Sequence, residues 1–511
     1  MFQILKNMKG RYLISYLLIL LPVFLQAQQI TFSEPFREDS RDMNFDIIGR
    51  MKGNIVVFKN MRWKYSLNVY NDSMKLKEKV ELDFIPNKTF NVDYIAYPDF
   101  FYLIYQHQKK GVLYCMAVKI DANGKKMDEP VILDTTQIGM LGENKIYTTI
   151  NSEDKKKIMI FKIQHKEDKA HFAMVLFDSQ LNILHKTRLQ MDYDDRKDAF
   201  SDFLMDNDGN LVFATTSKNN NRENPSAISL VTKPEDQDSF VMRKLDLNNT
   251  FIDEVKIKVD NVNKRYLLNS FYYKERNGNI EGVFIHLQDA KANEVYRNVF
   301  TEFNSELRSL VRSSGSVRTA FNDFYIRNIV LKRDGSFIMV AEDYTSQSSG
   351  LNNFNRYDYL YGSPFGSPYN YSYYNPGYYG YYRPFNSFRN EGIRYYYDNV
   401  LVLSVAKDGI TDWTNIIHKQ QYSDDNDNFL SYNIFNSGGE LHFLYNDISK
   451  RDKLLSDNII TADGSSRRSP TLRTYERGYE FMPRFAKQTG ARQVIIPCTI
   501  RGLICFAKVD F

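Results

Sequence analysis

FSDFLMDNDGNLVFATTSK (200–218), SAISLVTKP (226–234) and SFVMRKLDL (239–247) hold four short runs rich in Val, Ile, Leu, Phe and Thr, separated by polar turn residues. The runs alternate apolar and polar positions, and Asp206-Asn207-Asp208-Gly209 closes the first. Gly and Asn accept the positive φ of a tight turn, so this stretch predicts a meander of antiparallel hairpins.

The second run, Asn210 to Ala214, has counterparts along the whole chain. They are Asn54–Phe58, Phe101–Tyr105, Lys157–Phe161, Arg265–Asn269, Ser336–Val340, Glu440–Leu444 and Arg492–Pro497. Centred on Val56, Leu103, Met159, Val212, Leu267, Ile338, His442 and Ile495, they are separated by 47, 56, 53, 55, 71, 104 and 53 residues. A four-stranded unit repeated about an axis gives a recurrence of this kind, and propeller blades have periods of roughly 40 to 50 residues. Turn residues recur in step: Lys332 to Gly335 and Asn436 to Gly439 precede second strands, and Asp121 to Gly124 and Lys407 to Gly409 precede fourth strands.

The fold predicted is therefore all-β, a single-chain β-propeller of about eight four-stranded blades. Seven is the alternative, because the third strand near Asn458 to Ala462 is weak. The blades are expected at 44–84, 91–135, 144–192, 199–247, 252–302, 322–420, 427–475 and from 480. Glu302 to Ser313 has helical spacing and is read as a short surface helix between blades. Gln29 to Phe36 is a strand with no partner run after it, whereas the carboxyl end supplies two strands and stops. An open ring would leave backbone groups unpaired at its seam, so Gln29 to Phe36 is expected to complete the last blade beside Leu503 to Phe511.

Residues 1–27 read as a signal peptide: Lys6, Lys9 and Arg11, then the apolar run Leu13 to Leu25, then Gln26-Ala27. Residues 28–511 form the propeller domain. That apolar run is too short to span a bilayer, and Gln28 offers no cysteine for a lipid anchor. An exported chain is expected, periplasmic or extracellular, with association with the outer envelope open and a monomer outside any complex. The chain ends on a closing strand, which favours the periplasm. Formal net charge is +5 and falls to about +2 without the three leader cations, so nucleic acid is not an expected partner.

If Arg501-Gly502 is a two-residue loop, Ile500 pairs with Leu503 and Cys498 with Cys505. Two buried thiols and a cross-strand disulfide both remain open, the thiols being preferred because the closer neighbouring pair suits a bridge better.

Blade six carries a Tyr/Gly/Pro-rich insertion, 343–398, holding 14 of the 36 tyrosines between Tyr357 and Tyr397. It has almost no Leu, Ile or Val and cannot bury an aliphatic core of its own. Tyr offers a large apolar face with a polar tip, so Tyr369, Tyr373, Tyr374, Tyr378, Tyr379, Tyr381 and Tyr382 are candidate ligand-binding residues. The alternative is that these rings fold back and cap the propeller.

Catalytic motifs are absent from the sequence. The seven histidines show no metal spacing, and no nucleophile elbow, Walker loop or dinucleotide fingerprint occurs, so no catalytic residue, metal or cofactor is assigned. Asp424 to Asn428 is dense in carboxylates, but Phe429 and Phe435 stand where a calcium loop needs Gly and Glu, which favours an inter-blade turn. Glu342 and Asp343 end one second strand in VAEDY, and Asn446 and Asp447 end the next in LYND. Equivalent placement would put both pairs on one rim, a candidate ligand site; the plain alternative is that they cap strand ends.

VAEDY (340–344), Tyr395 to Asp398, Asp408-Gly409, Trp413, Lys419-Gln420 and the later LYND segment together resemble uncharacterised exported propeller-like proteins of Gram-negative bacteria. The resemblance covers about a quarter of the chain. It implies export and repeated β-structure, and it carries no activity. The function expected is a binding or scaffold protein whose aromatic arm and rim meet a partner protein or a glycan. The alternative is a hydrolase or lyase acting on polysaccharide or peptide in the central channel, which would require several ionisable side chains to converge there.

Overall fold

The computed structural model describes residues 29–511 apart from 37–42, 62, 88, 90, 139–145, 220–222, 292–294, 313–315, 349–355, 357–391, 425, 450–451 and 470–477. The protein is an eight-bladed β-propeller. The first seven antiparallel sheets cover 43–81, 91–137, 148–192, 198–244, 251–302, 324–424 and 432–468. All eight second strands lie where the repeat places them, from Asn54–Met61 to Gln493–Ile500. The third strand of blade 7, weak by composition, is formed over Asp452–Ile460 and pairs along its length with Glu440–Ser449.

Local chemistry explains the turns. At the blade 4 hairpin Gly209 takes φ +94°, and the Asp206 carboxylate accepts from the Asn210 backbone N–H at 2.9 Å. Arg501 and Gly502 both have positive φ, the two-residue hairpin geometry that pairs Ile500 with Leu503 and Cys498 with Cys505. The two buried sulfurs are 2.9 Å apart and unbonded.

The ring closes as expected. Gln29–Phe32 pairs antiparallel with the last strand, Gln29 opposite Asp510 and Phe32 opposite Ala507. Beyond it, the Ser33 and Phe36 N–H groups donate to the Phe506 and Ile504 carbonyls, each at 2.8 Å. A separate apolar cluster fills each gap between neighbouring blades. At the seam, Phe45, Ile47, Ile55, Val57 and Tyr70 of blade 1 meet Ile495, Ile504 and Phe506 of blade 8, with Phe36 packed among them. First strands of adjacent blades touch, as Met43–Met51 does with both Lys487–Gly490 and Asn91–Ala96, so they form the inner ring. Fourth strands stand at the perimeter, with Leu76, Ile132, Leu184 and Met242 exposed.

Three irregularities set blades 5 and 6 apart from the regular repeat. The helix occupies Ser305–Val311, capped by the Asn304 side chain, and tucks Leu307 into the core between blades 5 and 6. The fourth strand of blade 6 is broken into Thr411–Ile417 and Gln421–Asp424, and both pieces pair with the third. The insertion is shorter than the sequence suggests: the second strand runs on to Ser348 and the third begins at Ile393, Ser348 opposite Ile393. Residues 344–348 and 393–397 thus form a paired stem, since alternating Tyr, Thr and Ser suit a ladder as well as a loop. The seven candidate tyrosines, 369 to 382, lie outside the described residues, as does the leader, 1–27.

Candidate functional site

Of the four residues expected at strand ends, Glu342 and Asn446 meet at the junction of blades 6 and 7, inside strands that run on to Ser348 and Ser449. Glu342 is fully buried in the second strand of blade 6. Its carboxylate lies 2.8 Å from the Lys419 ammonium and 3.6 Å from the Arg327 guanidinium, and accepts from the Ser431 hydroxyl at 2.7 Å. The break in the fourth strand explains Lys419. Released from the ladder, it turns inward and also donates to the Tyr397 carbonyl at 2.9 Å and the Gln421 side-chain oxygen at 3.0 Å. Burial pulls the Lys419 ammonium below its ordinary pKa, against the opposing pull of Glu342.

Gln421 carries the network into blade 7. Its amide nitrogen donates to the Asn446 carbonyl at 2.7 Å, and its oxygen accepts from Ser431 N–H at 2.9 Å. The Asn446 side chain donates to the Phe429 and Phe481 carbonyls, stitching blade 7 to blade 8. The structure therefore brings Glu342 and Asn446 into one network and leaves Asp447 out of it. One residue on along a strand points to the other face, and there Asp447 pairs with Arg468 at the exposed perimeter.

Asp343 occupies a bulge. Glu342 pairs with Val400 and Tyr344 with Tyr397, so Asp343 faces Asp398-Asn399 across an interrupted register, next to Asp323 at the start of the blade. Desolvation comes first in raising the Asp343 carboxyl to about 8, with the nearby Asp323 and Asp398 charges adding to it. Asp323 and Asp398 are themselves raised, mainly by burial.

The sign of this effect is testable. A carboxyl whose folded pKa lies above its unfolded 3.8 contributes stability that is complete below about pH 4 and lost as pH rises through about 8. Asp323 and Asp398 act in the same sense. Urea unfolding of the Asp343→Asn protein should show a flatter decline in stability between pH 5 and pH 8 than the parent. It should gain on the parent at pH 8 by up to about 5 kcal/mol, set by the shift at 1.36 kcal/mol per pKa unit. Parallel pH profiles would contradict the raised pKa.

Two further ion pairs brace the rim. Arg484 lies 2.8 Å from Asp427, and both meet the Tyr397 hydroxyl, at 3.0 and 2.8 Å. Asp424 pairs with Arg394 at 2.6 Å. The acidic run read as an inter-blade turn is thus bound up with arginines, and among the described residues no group of His, Cys, Asp and Glu could hold a metal ion.

Among the described residues of the insertion beyond the stem, Arg356 reaches the ring. Arg356 places its guanidinium against Asp253 of blade 5, with Nε and Nη2 at 2.9 and 2.8 Å from the same carboxylate oxygen. Nη1 donates to the Asn322 carbonyl at 3.1 Å and to the Phe324 carbonyl, and the Tyr325 ring lies 4.1 Å beneath it. The Tyr273 hydroxyl donates to Asp253 at 2.6 Å. Arg356 and Asp253 were not picked out from sequence, because they are 103 positions apart and neither sits in a motif. Arg327 carried a weak signal, a charge inside the apolar strand run FYIRNIVL, whereas Lys419, between His418 and Gln420 in the break of the fourth strand, carried none.

No family profile matches the chain, and no curated protein does. Among solved structures, a prolyl endopeptidase is similar at TM-score 0.41 and 8% identity, over 91% of this chain and 56% of that one. Prolyl oligopeptidase B from Galerina marginata follows at 0.39 and 9%, over 90% and 55%. Polysaccharide lyase Uly1 stands at 0.36 and 8%, over 82% and 89%. The chain spans little more than half the length of the two peptidases.

Proposed function

We propose that this is an exported binding scaffold: a rigid ring whose blade 6 carries the Tyr-rich insertion, for a partner protein or a glycan. The observation that supports it is the anchoring of the insertion by the Ser348–Ile393 stem and by Arg356 in the Asp253 site. A segment fixed at its root loses less freedom on binding, which favours affinity from aromatic contacts. The charges of the rim support the same reading, since Glu342, Lys419, Arg327, Arg484 and Asp427 are consumed in mutual contacts and are buried or nearly so.

Replacing 358–390 by a short Gly/Ser linker, with Arg356 and the stem kept, should leave the unfolding temperature nearly unchanged. It should also abolish capture of envelope proteins and of glycans on an array. Undiminished capture by the shortened protein would remove the arm from the account.

A hydrolase or lyase reading draws on the placing of Asp343 beside Asp323 and Asp398, where burial and the neighbouring carboxylates push its carboxyl up toward the range a general acid requires. Cleavage of a polysaccharide or peptide library that disappears in Asp343→Asn would favour that reading over the scaffold.

A further inference from the structure

The site filled by Arg356 offers an arginine side chain a carboxylate oxygen, two backbone carbonyls and aromatic faces. A guanidinium is planar and has five N–H donors, so a matching receptor needs a carboxylate in its plane, further acceptors around its edge and an aromatic face beneath. Asp253 supplies the carboxylate, 2% exposed and held by the Tyr273 hydroxyl. The Asn322 and Phe324 carbonyls supply the edge, the Tyr325 ring the face at 4.1 Å, and Phe271 a second ring at 5.8 Å. These groups come from two blades and the connection between them, so the ring builds the receptor, whereas its occupant comes from the insertion.

We propose that this socket binds an arginine side chain of a partner polypeptide, and that Arg356 is an internal stand-in with which that arginine competes. The inference rests on the scaffold reading and names its partner as an arginine-bearing protein segment rather than a glycan. An internal ligand lowers the apparent affinity for an external one by the fraction of time the socket is vacant, so removing it raises that affinity. A lysine cannot substitute, because its point charge neither spans the two carbonyls nor stacks on Tyr325.

The test uses the full chain and a fluorescein-labelled Gly-Gly-Arg-Gly-Gly amide, with the lysine peptide as control, followed by anisotropy. Arg356→Ala should bind the arginine peptide at least about tenfold more tightly than the parent, as expected if Arg356 fills the socket about nine-tenths of the time. The lysine peptide should bind neither protein, and Asp253→Asn combined with Arg356→Ala should lose the gain. Because Arg356→Ala could disturb folding, Arg356→Gln is read in parallel, together with thermal unfolding in millimolar methylguanidinium. That cation, unlike methylammonium, should raise the midpoint of both variants and leave the parent unmoved. Equal peptide affinity in parent and variants, or a midpoint indifferent to methylguanidinium, would overturn the proposal. The scaffold reading would survive that outcome, since it stands or falls on the shortened arm.

Discussion

Deleting residues 28–36 should destabilise the protein more than any single substitution, by about 5 kcal/mol or more, if the shortened chain folds at all. Three effects act together. The last strand loses its partner from Ala507 to Asp510 and presents a raw edge. Phe32, stacked on Tyr479 at 3.8 Å, is withdrawn from the core between blades 7 and 8, and Phe36, packed edge-on against Phe506 at 5.7 Å, from the seam. Lys59, whose ammonium lies 3.8 Å over the Phe36 ring, loses that face. Phe36→Ala alone should cost about 3 kcal/mol, as for a buried Phe truncation. Chemical unfolding of the three proteins checks both figures. Parent-like stability of the deletion would mean that the ring holds without its amino-terminal strand.

The second large effect is expected at Lys419. Its side chain is 1% exposed and neutralises Glu342, which is fully buried. Lys419→Ala leaves that carboxylate with Arg327 at 3.6 Å and one hydroxyl, and breaking a buried pair on one side costs about 3 to 5 kcal/mol. Removing both charges, in Lys419→Met with Glu342→Gln, should recover part of the loss, because the buried carboxylate goes with its lysine while Arg327 gives up its 3.6 Å contact. A double-mutant cycle by urea unfolding reads the coupling directly. Additive losses would show that the two charges do not interact, contrary to the 2.8 Å contact.

Why the ring could be read from sequence and the site only in part follows from how far each signal extends. A blade is local: its alternation and its turn residues lie within about 50 residues, and turns such as Asp206 to Gly209 and Arg501-Gly502 state their own geometry. Closure was legible because two deficits, an unpartnered strand at one end and a missing strand at the other, have one common solution. The site is assembled from residues with no local signature. Glu342 and Asn446 could be named because they hold equivalent places in second strands, though those strands run on to Ser348 and Ser449, yet what joins them is Lys419, set free by a strand break that composition does not mark. Asp447 could be placed on the rim but not on a face, since strand register decides that by single residues. The Asp253 socket depended on a contact between blade 5 and the blade 6 insertion, which no periodicity reports.

The most direct test of the closed ring is amide hydrogen exchange, read by mass spectrometry, in the peptide spanning Gln29 to Phe36. Its Ser33 and Phe36 amides, bonded to the last strand, should exchange as slowly as those of Leu503 to Asp510, because both strands open only when the blade does. Complete exchange of that peptide within seconds, while Leu503 to Asp510 stays protected, would contradict the account.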